Sequence, residues 1–155
     1  MTRTTRNAVV LVLLVASAGC GGKTETQGET GPSAASPYDT GPRAGESPVA
    51  PFLAAQGESL FKAKGCTACH AFGKRLTGPD LAGVTQRRTA QWMEQQILHP
   101  EVMTKQDPIA KELLAKYMVQ MSNQALKAEE ARAVIEYLKQ LDEKALEAQP
   151  VQAQK

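Results

Sequence analysis

The run Cys66-Thr67-Ala68-Cys69-His70 sets two thiols three positions apart, with an imidazole directly after the second. In an exported chain this pattern attaches haem covalently. Each thiol adds across one vinyl group, and the spacing lets both sulfurs reach one edge of the porphyrin while the His70 ring swings under the iron as proximal ligand. The same Cys-x-x-Cys core also serves as a structural disulfide, a thioredoxin-like redox pair or half of a zinc site. Zinc needs further ligands, and Cys20 and His99 are the only other cysteine and histidine. A redox dithiol belongs in a βαβ setting, and no run of this chain reads as a strand. Covalent attachment of one haem c, with its iron, is therefore the expected chemistry.

The rest of the chain has to bury such a group and position its ligands. Aromatic residues make up 5% of the 155, a thin supply for a core built from side chains alone, and a buried cofactor makes up the shortfall. One domain is expected at this length. The formal charge of +2 comes from Arg3 and Arg6, since the chain from Cys20 onward carries 16 basic and 16 acidic side chains. No basic stripe remains to displace the counterions of a phosphate backbone, so nucleic-acid binding is excluded.

Residues 1–19 read as a signal peptide: Arg3 and Arg6 precede an apolar run from Ala8 to Ala16 that falls short of the ~20 residues a spanning helix needs. An uncleaved anchor is the alternative, and either way the chain is exported. Ser17-Ala18-Gly19-Cys20 resembles the lipobox of bacterial lipoproteins, in which the cysteine becomes lipid-modified, although Leu more often stands where Ser17 does. Cys20 is thus the expected lipidation site, which places the protein on the periplasmic side of a bacterial membrane, held by a lipid anchor. Residues 20–51 are rich in Gly, Pro, Ser, Thr and Glu, and read as a disordered tether spanning about 30 Å.

The globular part is expected over 52–142, with a flexible tail over 143–155. A first helix is predicted from Ala55 to Lys64, ended by Gly65. A second runs from Thr89 to Leu98, capped by Thr89 and stopped by Pro100. A third begins at Asp107-Pro108 and turns Leu113, Leu114, Tyr117 and Met118 inward. The last covers Ala128 to Leu141, with Glu129 and Glu130 at its positive end and Val134, Ile135, Leu138 and Leu141 as its buried stripe.

Taken in order, Gly57 and Phe61, Cys66-x-x-Cys69-His70, Gly78-Pro79-Asp80-Leu81-Ala82-Gly83, Met121 and Ala133-Val134-Ile135-Glu136-Tyr137-Leu138 resemble a class I monohaem cytochrome c. The resemblance extends from about Gln56 to Leu141. It implies an all-α fold of about four helices wrapped around one haem, the first and last crossing where Gly57 permits close approach and Phe61 packs near Val134 and Tyr137. It implies that the Pro79 carbonyl accepts the proton of the proximal His70, fixing the ring. Arg87 lies where the family often has an arginine near a haem propionate, and Arg88 and Trp92 are further candidates for that edge. Met121 is the implied sixth ligand, with Ser122 where the family commonly has Pro. Met118, Met103 and His99 remain rivals for that position.

A His/Met-ligated iron has no open coordination site, so it moves electrons and does not bind substrate. The function expected is that of a membrane-tethered carrier of single electrons between redox proteins, not an enzyme, with no small-molecule substrate. A haem subunit of a larger oxidoreductase, a haem enzyme such as a peroxidase, and a gas sensor are the alternatives. The last two would need a vacant or labile sixth position.

Overall fold

The computed structural model describes residues 35–148. The signal peptide, Cys20 and the first part of the expected tether lie outside them, as does the chain beyond 148. Among the described residues there is no strand, in keeping with an all-α fold, and no helix is long and apolar enough to cross a membrane.

Helix α1 spans Pro51–Ala63, with Pro51 in its first turn, where a missing N–H costs nothing. It ends at Lys64, and Gly65 takes the left-handed region at φ 74°, the residue type that does so without a Cβ penalty. The turn Cys66–Ala68 follows. Short helix α2 is Val84–Arg87. Helix α3 is Ala90–Leu98, capped by Thr89 Oγ1, which accepts the Trp92 N–H at 3.0 Å. Helix α4, Pro100–Gln106, was not anticipated: Pro100 stops α3, yet as a first-turn residue it also opens the next helix. Helix α5 is Pro108–Tyr117, capped by Asp107, and helix α6 is Ala128–Glu147.

Helices α1 and α6 make the closest packing. A Cβ on Gly57 would stand 1.9 Å from the Ala133 carbonyl oxygen, so only glycine lets the two backbones meet there. One turn on, the rings of Phe61 and Tyr137 lie 5.6 Å apart at 55°, a tilted pair worth about 0.5–1.5 kcal/mol beyond the area it buries. Phe61, Trp92, Met93, Met103, Val134, Ile135 and Leu138 form the core.

Helix α1 begins four residues before the expected Ala55, and three further features differ from expectation. The tether expected to run to residue 51 is folded from residue 35. Ser36 is buried and its hydroxyl donates to Asp107, Thr89 Oγ1 donates to Tyr38 O at 2.7 Å, and Ala44 N donates to Arg88 O at 2.9 Å. Further along, the buried Lys139 ammonium donates to Pro48 O at 2.8 Å and Ser47 Oγ at 3.0 Å. Polar composition concealed this because the segment is held mainly by hydrogen bonds to particular partners, with Ala44 and Tyr38 its apolar contacts to the core. Helix α6 also runs six residues past Leu141, because buried Asp142 accepts the N–H groups of Gly83 and Thr85 and the Thr85 hydroxyl. It thereby caps α2, whose own N-cap residue is a glycine. Met118, expected to turn inward, is 82% exposed: α5 ends at Tyr117, and Met118 adopts φ 56°, which carries its side chain off the apolar stripe.

Gly57→Ala tests the crossing. The gain in helix propensity, about 1 kcal/mol, should be outweighed by overpacking that costs about 1–3 kcal/mol or more. The haem-loaded variant is expected to unfold at lower urea concentration, followed by circular dichroism. An unchanged midpoint would mean that the helices can separate freely.

Candidate haem site

The loop after α1 carries the chemistry. Cys66 and Cys69 flank a single turn in which the N–H groups of Cys69 and His70 both donate to Cys66 O, at 3.2 and 2.9 Å. Cys66 is half-buried and Cys69 exposed. In the free thiol form, burial pushes the Cys66 pKa above its ordinary value, because a thiolate is poorly solvated there.

His70 is held from behind. Its Nδ1 lies 2.9 Å from Pro79 O, which makes Nδ1 the donor and leaves Nε2 as the ring's lone-pair nitrogen. Pro79 is positioned by its neighbours: Gly78 N donates to Cys69 O at 2.9 Å, and Asp80 Oδ1 accepts the N–H groups of Gly73 at 2.7 Å and Ala82 at 2.8 Å. Gly78 is buried against the imidazole, and a Cβ there would stand 2.7 Å from His70 Cε1.

A cleft of about 1190 Å3 of atom-free space, part of it open to solvent, lies in front of these residues. Phe61, Trp92, Met93, Val134 and Leu138 supply much of its apolar wall, and Cys66, His70, Pro79, Arg87, Arg88 and Met121 also line it. Of the residues expected at the haem, therefore, all but exposed Cys69 border one space. Of the four candidates for the sixth position, Met121 alone lines the cleft. Met103 is 1% exposed within the core, His99 is exposed at the joint between α3 and α4, and Met118 faces solvent. Trp92 presents its ring to the cleft but commits its indole N–H to Asp107 Oδ1 at 3.0 Å, so it has no free donor for an acidic group. Arg87 donates from one guanidinium nitrogen to Ala82 O at 2.8 Å.

Sequence reasoning missed two residues around Met121. Gln96 Nε2 lies 3.8 Å from Met121 Sδ, while its buried Oε1 has no hydrogen-bond partner. Asn123 ties the loop down: its Nδ2 donates to Leu98 O at 2.9 Å and its Oδ1 accepts the Ala125 N–H at 2.8 Å. The spacing Asn123-x-Ala125 is a recognisable side-chain turn. Gln96 shows only as one more residue on a helix face.

The sequence pattern of the cytochrome c family matches residues 54–142, more than half of the chain. The chain belongs to the cytochrome c family. Among solved structures, a cytochrome c from Rhodothermus marinus is similar to this cytochrome at 40% identity and a TM-score of 0.60, over 63% of this chain and 83% of that one. The cytochrome c domain of a Pseudomonas putida protein is similar at 31% identity and a TM-score of 0.52, over 59% of this chain and 92% of that one. Cytochrome c-551 of Azotobacter vinelandii is 49% identical over 35 residues, a stretch that is 23% of this chain and 43% of the relative's length.

The cofactor of the family is covalently bound haem c with its iron, and the residues present fit it. A wide apolar cleft faces both the Cys-x-x-Cys-His loop and an imidazole whose Nδ1 is already occupied, leaving Nε2 for a metal. Gly78→Ala should press on the His70 ring and pull it off Pro79 O. The haem-loaded variant is expected to lose about 1–3 kcal/mol of stability, seen as a lower melting temperature by circular dichroism. A variant as stable as the parent would show that the contact behind His70 is slack.

Proposed function

We propose that this cytochrome is a carrier of single electrons, held by lipid on Cys20 at the periplasmic face of a bacterial membrane and passing electrons between respiratory redox proteins. The observation that carries this reading is the lining of one cleft by both His70 and Met121, with His70 oriented by Pro79.

In this reading Cys66 and Cys69 would hold the haem by thioether bonds, and His70 Nε2 and Met121 Sδ would ligate its iron. The bound haem supplies the one-electron couple. The chain's part is to keep both ligands in place in either oxidation state, so that little reorganises when an electron arrives or leaves. Pro79 O does this for His70 by accepting the Nδ1 proton, which also makes Nε2 more electron-rich. Gln96 and Asn123 do it for Met121, one by a weak N–H to sulfur contact and the other by pinning the loop to the end of α3. The apolar walls exclude water and favour the haem state of lower net charge, and a thioether ligand raises the potential relative to two nitrogen ligands. With both ligands in place, the iron would have no position open to substrate.

Two outcomes are expected. The oxidised protein should show a methionine-to-iron charge-transfer band near the red end of its spectrum, and Met121→Ala should lose it. The reduced parent should not bind carbon monoxide rapidly, whereas the reduced variant should. Persistence of the band in the variant would overturn the ligand assignment, and rapid stoichiometric carbon monoxide binding by the parent would favour a haem enzyme or sensor.

The anchor is tested separately. Cys20→Ser should move the haem-loaded protein from the membrane pellet to the soluble fraction after a salt wash. Lipid chains supply about 0.8 kcal/mol per buried CH2, so continued sedimentation would mean that something other than lipid holds it.

A further inference from the structure

The segment 36–50 precedes the stretch matched by the cytochrome c family, which begins at residue 54. None of its residues lines the haem cleft, but it packs on Arg88, which does. We propose that this segment is a strap whose Asp39 fixes where the charge of Arg88 sits at the cleft, and thereby holds the haem potential down. Asp39 is a positioning residue, acting through Arg88. The proposal requires the haem that the family carries and is independent of which residue takes the sixth position and of the lipid anchor.

Asp39 is built into the fold. Its side chain is 8% exposed and spans two arginines, with Oδ1 3.0 Å from Arg43 Nη1 and Oδ2 3.3 Å from Arg88 Nη1. Oδ1 also accepts the Thr89 N–H at 2.8 Å, which fixes the carboxylate to the residue that caps α3. The strap is held in register independently of these charges, by Tyr38 O to Thr89 Oγ1, by Ala44 N to Arg88 O and by Ser36 to Asp107. Arg43 donates to the backbone oxygens of Asp39, Gly41 and Arg87, each within 3.2 Å, so it secures the bend of the strap.

Arg88 connects this arrangement to the cofactor. It is partly buried, lines the cleft, and sets its guanidinium carbon 5.2 Å from the centroid of the Trp92 ring, which lines the cleft too. Reduction adds one electron to the haem, so a bare cation at the wall stabilises the reduced form and raises the potential. Asp39 holds the guanidinium on the strap side, and in a partly buried setting, where charges are weakly screened, that placement decides how much of the cation's effect reaches the haem. Asp39 thus acts by restraining Arg88, and Arg43 competes for Asp39 from the other side.

The test is a double-mutant cycle read as the midpoint potential of the purified, haem-loaded full-length protein. Asp39→Asn retains an oxygen to accept the Thr89 N–H but turns an N–H2 toward Arg88, so the cap survives while the ion pair is lost. The expected result is an upward shift in potential that becomes much smaller in the Arg88→Gln background. A merely structural strap would alter melting temperature and leave the potential unmoved, and a simple long-range charge effect would shift the potential equally in both backgrounds. Either of those results overturns the proposal. Should Asp39→Asn fail to accumulate as folded protein, Arg43→Gln replaces it. Loss of the competing cation should then lower the potential, again far less in the Arg88→Gln background, and equal shifts in the two backgrounds would overturn the proposal in the same way.

Discussion

The close crossing of α1 and α6 at Gly57 is the constraint on which the rest of the domain hangs. No Cβ fits between Gly57 and the Ala133 carbonyl. Because the backbones touch there, Phe61 is brought to the cleft wall beside Val134 and Leu138, and the loop bearing Cys66 and His70 emerges directly at the cleft. A gap opened between these helices would displace the covalent attachment loop along with the wall it faces. The apolar side chains of this crossing then form one continuous surface with the inner faces of α3 and α5.

Around that frame, buried carboxylates do work that a larger core would otherwise do. Asp107 is fully buried and accepts from Trp92 Nε1, from Ala110 N and from the Ser36 hydroxyl, joining the strap, the cleft wall and the start of α5. Asp142 binds α2 to the far end of α6 through three donors. Each carboxylate is satisfied by several N–H or O–H groups, which offsets the cost of removing a charge from water. A domain with few aromatic residues, a large part of whose interior is given over to a cofactor, gains rigidity from such junctions at the points where its loops meet.

Much of the helical layout is legible in the order of residues. Thr89 and Asp107-Pro108 mark helix starts because a short polar side chain caps and a first-turn proline loses no bond, and both helices begin where those signals stand. The departures have physical causes. Pro100 could end one helix or begin another, and both occur, because α4 packs Met103 and Thr104 inward. The strap was read as tether because its composition is polar, whereas its order comes from partners some 50 to 90 positions away, such as Thr89 for Asp39 and Lys139 for Ser47. No local pattern announces such pairings. Met121 is favoured over Met118 in the sequence only through its place in the family's order of residues, and it is the left-handed turn ending α5 that sends Met118 to solvent.

By itself the sequence determined what is local and covalent: two thiols and an imidazole at the spacing of a haem attachment loop, a proline nine residues beyond that imidazole, and amphipathic helices to enclose the group. Those features depend on bond geometry and on neighbours within a few positions. Tertiary structure alone decided that Met118 turns away from the cleft that Met121 borders, where the Trp92 indole N–H goes, and that Asp39 reaches Arg88. Such outcomes depend on where distant segments meet, and backbone packing around Gly57, together with the shared buried carboxylates, settles those meetings.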